Sequence, residues 1–314
     1  MTDADQNTID AQVPKLARFA WALLISLPIP AFAAEQIWIE PNPRAANQSD
    51  WYPKPIESIV ADVVRFNATD LIVVRAGDDT ESSIPAERVI WIEPQQRKAA
   101  EQKMVALFND GQYGECLESL PEVLETRPPI WRQQAITMMA AVAASRCDRH
   151  AVALELVAQL DRRSLPPMVS ARLPIQWANR RSAANAVTAA NERLNDSSPL
   201  VRLVAVSWLL SSPRRSQAIN ELTTLQRSER ADVQAMVGVL RWRTATPPQV
   251  SQSASRWQKT IDQLPMVWQT GPTTTLIDKL ESAGLSDLAK PLRWSQQLTP
   301  IQPFPLADRN SVDQ

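Results

Sequence analysis

The side chains able to do chemistry are sparse and scattered along this chain. In 314 residues there is one histidine, His150, and two cysteines, Cys116 and Cys147. A zinc site or a Ser/His/Asp relay needs several such groups converging on one point, and this set does not supply them. His150 follows Cys147-Asp148-Arg149 at the predicted start of a helix, where polar residues commonly meet the unpaired N–H groups of the first turn. The six glycines, Gly77, Gly111, Gly114, Gly238, Gly271 and Gly284, are not clustered as a phosphate-cradling loop requires, which excludes Walker and dinucleotide-binding loops. Carboxylate-only catalysis is the enzyme class left open, but no pair stands out: Glu155 and Asp161 fall on ordinary helix surfaces. Asp78-Asp79 with Glu81 clusters at a glycine turn, which Asp favours by its backbone geometry. Calcium needs six to eight oxygens, more than this loop offers. The expectation is a chain with no catalytic residues, no metal and no cofactor.

The start of the chain reads as a targeting segment. Lys15 and Arg18 precede the uncharged run Phe19 to Leu27, which passes through Pro28 and Pro30 to small residues at Ala31 and Ala33. That pattern fits a signal peptide over 1–33 cleaved after Ala33, and the run is short of the roughly 20 apolar residues that span a membrane. An uncleaved anchor and a buried helix are the alternatives; the acidic Asp3, Asp5 and Asp10 are atypical of a signal. Cleavage removes two basic and three acidic side chains, leaving 31 of each from totals of 33 and 34. A neutral chain without a basic cluster gives no expectation of nucleic-acid binding, which depends on phosphate neutralisation. The pairs Arg162-Arg163, Arg180-Arg181 and Arg214-Arg215 lie at predicted helix ends, where cations offset the helix dipole or stay solvated. The expected location is outside the cytosol, in the periplasm or the medium, with no membrane span after cleavage.

The elements that would position any site follow. Ile56 to Phe66, Leu71 to Arg75 and Ile84 to Ile92 are rich in Val and Ile and separated by turn residues, so they predict an antiparallel meander. Ile-Trp-Ile-Glu-Pro occurs at Ile37 to Pro41 and again at Ile90 to Pro94, so a first strand is expected to pair with or resemble the last. A unit this small, apolar on both faces, needs closure or a docking partner. The pattern, ending in the acidic hairpin and Ile84-Pro85-Ala86-Glu87-Arg88-Val89, resembles bacterial SH3-like small barrels, some of which bind peptides, nucleic acid or cell-wall material. Trp38, Trp51, Tyr52 and Trp91 then either fill the barrel core or form an aromatic surface for proline-rich ligands.

From Gln95 a three-to-four-residue period takes over. Ala100, Met104, Leu107 and Phe108 share one helical face ending at Gly111, and Tyr113, Cys116, Leu117, Leu120, Val123 and Leu124 make a second helix stopping before Pro128-Pro129. Here the chain resembles a tetratricopeptide repeat: a small residue at Cys116, a large apolar one at Leu120 and a proline at Pro128, after Gly111-Gln112-Tyr113. The first helix, with Ala100, Lys103, Met104 and Leu107, departs from that pattern. Small-residue anchors recur at Ala153, Ala186 and Ala218, successively 37, 33 and 32 residues apart, a period that implies stacked hairpins. Ser198 to Ala205 resembles a HEAT repeat instead, and both families imply an α-solenoid. In such a stack Cys116 and Cys147 occupy neighbouring helix ends, so a disulfide worth about 3 kcal/mol, or two buried thiols, is expected.

The expected organisation is α+β: a signal peptide over 1–33, a small SH3-like antiparallel β-barrel over 35–95, an all-α solenoid of helical hairpins over 96–296, and a disordered tail over 297–314. Trp131, Trp177, Trp208, Trp242, Trp257, Trp268 and Trp294 fall about once per hairpin, a spacing expected mainly from packing between repeats, or from an aromatic binding stripe. The functional expectation is an exported, non-catalytic scaffold holding a protein or peptide partner on the helical surface. The alternatives are cell-wall glycan binding through the β unit and, behind it, a carboxylate hydrolase.

Overall fold

The structure, a computed structural model, describes residues 34–42, 56–75, 80–95 and 97–298. From Ala34 onward they belong to one compact unit. Residues 1–33, with the expected cleavage site at Ala31 and Ala33, lie outside the described residues, as do Trp51, Tyr52, Asp78, Asp79 and the tail from 299.

Five strands come first: β1 (Glu35–Ile39), β2 (Glu57–Phe66), β3 (Asp70–Arg75), β4 (Glu81–Pro85) and β5 (Val89–Glu93). All neighbours are antiparallel, in the order β4-β3-β2-β1-β5. The repeated pentapeptide pairs with itself, Ile37 opposite Ile92 and Trp38 opposite Trp91. Alternation then sends Ile37, Ala61, Leu71, Val73, Val89 and Ile92 into the core. The register shifts in β1 at Trp38/Ile39 and in β2 at Val63/Arg65, irregularities of the kind that bend a strand.

The expected barrel is not closed. Among the described residues β4 and β5 are the sheet edges, and no ladder joins them. β4 is five residues long and ends at Pro85, which has no N–H to offer a further ladder. The chain then turns through the 3-10 helix Ala86–Arg88 into β5. The sheet leans instead on distant chain. Arg172 donates from Nη2 to the Ile90 carbonyl at 3.0 Å and lies over the Trp91 ring, 5.2 Å from its centre. The Glu40 carboxylate accepts the Met266 N–H at 2.9 Å, across 226 residues of sequence.

The helices are α1 (Ala99–Asn109), α2 (Tyr113–Glu118), α3 (Leu120–Glu125), α4 (Ile130–Arg146), α5 (His150–Leu160), α6 (Pro167–Ser170), α7 (Ala184–Glu192), α8 (Pro199–Leu209), α9 (Arg215–Leu225), α10 (Ala231–Leu240), α11 (Pro247–Gln263), α12 (Thr270–Ser282) and α13 (Ser286–Leu298). Most pack on helices close in sequence: α4 on α5, α7 on α8, α8 on α9, α11 on α12 and α12 on α13. The small anchors Cys116, Ala153, Ala186 and Ala218 lie on α2, α5, α7 and α9, and all are buried. Gly111 and Gly284 end α1 and α12 with φ of 76°, a left-handed turn that glycine makes without strain. With glycine scarce, Arg127 and Asp148 take the same region at φ of 50° and 59°.

Residues 161–183 interrupt the array. Pro166, Pro167 and Pro174 prevent a long helix, leaving only the four-residue α6. This stretch crosses from α5 to the sheet and back to α7. Its carbonyls at Pro167 and Pro174 accept the indole N–H groups of Trp268 and Trp208, at 3.3 and 2.9 Å. One apolar core runs from Ile37 to Val267, a second lies among α10 to α13, and Trp177 packs against both.

Candidate interaction surface

The partly buried carboxylates serve as joints between elements. Glu101 on α1 accepts from Arg132 on α4 at 2.7 Å, and Arg97 lies 3.8 Å away. Asp161, after α5, accepts from Arg230 and from Ser198, whose Oγ caps α8 through the Val201 N–H at 3.1 Å. Glu221 on α9 pairs with Arg202 on α8 at 2.9 Å; burial raises its pKa and Arg202 opposes the shift. Glu155 is exposed and pairs with Arg193 at 2.9 Å. Glu35 has a pKa raised by burial and accepts the Val63 N–H at the irregularity in β2.

Arg243 and Lys279 are buried cations that donate to uncharged oxygens. Arg243, 1% exposed, donates to Asn179 Oδ1, the Gln176 and Ser207 carbonyls and Ser211 Oγ at 2.6–3.1 Å. Burial pulls its pKa down to about 10, which leaves it charged at neutral pH. It ties the crossing segment and α8 to the turn after α10. Lys279 donates to the Ala245 carbonyl at 2.7 Å, and burial lowers its pKa. His150 packs edge-on against Trp208, ring centres 5.0 Å apart, with its pKa lowered by burial. Cys116 and Cys147 are free thiols. Cys116 is buried, which pushes its pKa up to about 11, with Cys147 adding to the shift.

The cavities offer little chemistry. An open groove of about 370 Å³ is lined by Arg202, Thr223, Thr224, Leu225, Arg227 and Ser228. Arg202 is paired with Glu221, and the two threonine hydroxyls donate to carbonyls one turn back. An apolar crevice between Trp177, Met236, Trp268 and Pro272 holds about 10 Å³, about the volume needed to place a single water.

The tryptophans separate more sharply. Trp131, Trp208, Trp242 and Trp257 are buried, Trp242 and Trp257 stacking with centres 5.0 Å apart. Trp177 and Trp268 are half-buried against the core. Trp294 on α13 is 64% exposed. Leu288 and Leu298, each more than half exposed, and the exposed Pro291 recur with it at spacings of three and four residues. The opposite side of α13 is pinned to α12, where Ala289 is buried and Gln296 donates to the Thr270 carbonyl at 3.1 Å. In the sequence Trp294 looked like the other tryptophans of the series. The signal that set it apart was the second apolar stripe of α13, on the side that α12 does not cover.

On the sheet, Trp38 and Trp91 lie opposite each other across the β1–β5 ladder on the same face, each half-buried. Trp91 donates its indole N–H to Glu93 at 3.0 Å, and Gln36 beside Trp38 donates to Ser58 Oγ at 3.1 Å. The structure thus brings together two of the four aromatic residues expected at a binding surface, and the other two lie outside the described residues. No group of three or more metal-ligating side chains occurs, and no helix is long and apolar enough to cross a membrane, among the described residues. No protein family, no curated protein and no solved structure matches the chain.

Proposed function

We propose that this protein is an exported, non-catalytic binding protein that holds a protein or peptide partner on its helical array, with Trp294 as an anchor. The observation that carries this reading is the contrast among the helical tryptophans. Four are buried and two half-buried against the core, whereas Trp294 stands in solvent on an apolar stripe. Tryptophan beside arginine is the residue chemistry most enriched at binding hot spots, and Arg293 adjoins it. The partly buried carboxylates support the same reading, since arginine or backbone N–H groups already occupy them. The buried anchors at Cys116, Ala153, Ala186 and Ala218 support a tetratricopeptide-like or HEAT-like array. The strand order with a 3-10 turn before β5 supports an SH3-like β unit.

A second reading, glycan binding by the sheet, is favoured by one observation. Trp38 and Trp91 lie side by side among Gln36, Ser58 and Glu93, an aromatic pair rimmed by polar groups, with Arg172 over the Trp91 ring. Capture from an envelope extract with the full chain, Trp294→Ala and Trp38→Ala distinguishes the two. A single protein retained by the wild type and lost with Trp294→Ala supports the scaffold. Sugar retained by the wild type and lost only with Trp38→Ala favours the glycan reading.

A further inference from the structure

An antiparallel sheet covered on one side usually turns polar residues to water on the other. The outer face of this sheet does not. Alternation sends Ala61, Leu71, Val73 and Ile84 into the core, so the residues between them point away from it. On β2 these include Val60 and Val64, 56% and 55% exposed. On β3 they are Ile72 and Val74, both half-buried and neither part of the apolar core. Trp38 on β1 lies diagonal to Val60, whose direct partner is Gln36. The stripe runs ~14 Å along β2 and ~10 Å across three strands. Contiguous exposed apolar surface of this kind marks an interaction site more often than single scattered side chains do.

The charges on this face are one-sided. Arg65 is paired with Asp70 at 3.2 Å, and Glu93 is paired with Arg97, so each of these pairs cancels. Asp62 and Glu81 flank Val74 from the two neighbouring strands and carry no ion pair among the described residues. A two-fold contact between copies sets a patch against itself, which here would bring acid against acid. Nucleic acid and anionic lipid meet the same repulsion. A partner with an apolar side flanked by lysine or arginine satisfies both features of the face. An added strand pairs with a sheet edge, whereas a helix packs on a sheet face. Three turns of helix, ~16 Å long and ~10 Å wide, match the stripe.

We propose that the outer face of the sheet docks a basic amphipathic helix of a partner protein. Its apolar side lies on Val60, Val64, Ile72 and Val74, and its cations lie beside Asp62 and Glu81. The site uses no residue of α13 and so stands apart from the Trp294 reading. It borders Trp38, so the helix and a glycan would compete for part of the same sheet.

The test uses the full chain and two fluorescein-labelled amphipathic peptides of about 14 residues, one of leucine and lysine and one of leucine and glutamate, read by anisotropy. The leucine–lysine peptide should bind at least about tenfold more tightly than its acidic counterpart. Val60→Thr with Val64→Thr keeps β-branched side chains on the strand and removes apolar area, and should weaken binding about tenfold. Asp62→Lys with Glu81→Lys should weaken it by at least as much and remove its salt dependence. Trp294→Ala should leave it unchanged. Urea midpoints equal to wild type establish that each variant is folded. Equal affinity for the two peptides overturns the proposal, as does binding that survives both double variants or is lost with Trp294→Ala. Displacement of the peptide by soluble cell-wall oligosaccharide with loss of that displacement in Val60→Thr/Val64→Thr would give the stripe to sugar instead. A mass by light scattering that doubles with concentration in the wild type but not in that variant would give it to a second copy. Because no readout depends on α13, failure here leaves the scaffold reading untouched.

Discussion

Substituting Gly271 by alanine probes the seam between the two cores. A Cβ at this position would lie 2.3 Å from Trp177 Cε2, 2.5 Å from Nε1 and 2.7 Å from Cδ2. Non-bonded carbons pack at about 3.5–4.0 Å, so the indole or the start of α12 must move by about 1 Å or more. The indole has little room, since Trp177 packs against both cores and its carbonyl accepts from Thr275 Oγ1 at 2.9 Å. Overpacking of this kind costs about 1–3 kcal/mol. Alanine's helix preference over glycine returns up to ~1 kcal/mol, less beside Pro272. Urea unfolding should therefore show Gly271→Ala less stable by about 1–2 kcal/mol with an unchanged m-value. Trp177→Leu is itself destabilising because it opens space in the seam, but it removes the ring that clashes. In that background Gly271→Ala should be neutral or mildly stabilising. An equal cost in both backgrounds would refute the steric argument, because the coupling would then be zero.

Three further outcomes are expected. Burial lowers the pKa of His150, so its stabilising contribution is complete above the unfolded value near 6.5 and is lost as pH falls from there through the folded value; thermal melts of His150→Phe should lack that acid-side slope. Maleimide should label Cys147, which is partly exposed, while Cys116, buried and with its thiol pKa near 11, reacts only after unfolding, as peptide mapping by mass spectrometry would show. Arg127→Gly should raise stability by roughly 0.5–1 kcal/mol in urea titrations, because arginine at φ of 50° is strained where glycine is not.

The change of period near Gln95 separated strands from helices correctly, because a two-residue and a 3.6-residue repeat are properties of local sequence. The repeated Ile-Trp-Ile-Glu-Pro announced the β1–β5 pair, since identical alternation sends identical residues to one face. Cys116, Ala153, Ala186 and Ala218 marked buried helix contacts because only small side chains let helices approach closely. The spacing of 33 between Ala153 and Ala186 nevertheless concealed an irregular segment. Counting residues does not reveal whether they are wound or extended, and Pro166, Pro167 and Pro174 extend them here.

What the sequence determined by itself was local: the strand and helix periods, the shortage of histidine and clustered glycine, and the turn at Gly111. Tertiary structure alone decided the open sheet, the Glu40–Met266 link, the arginine–carboxylate joints and the solvent exposure of Trp294. Those features depend on which distant faces meet. A tryptophan packed between helices and one left at the end of the stack have the same local signature, and only the presence or absence of a covering neighbour separates them.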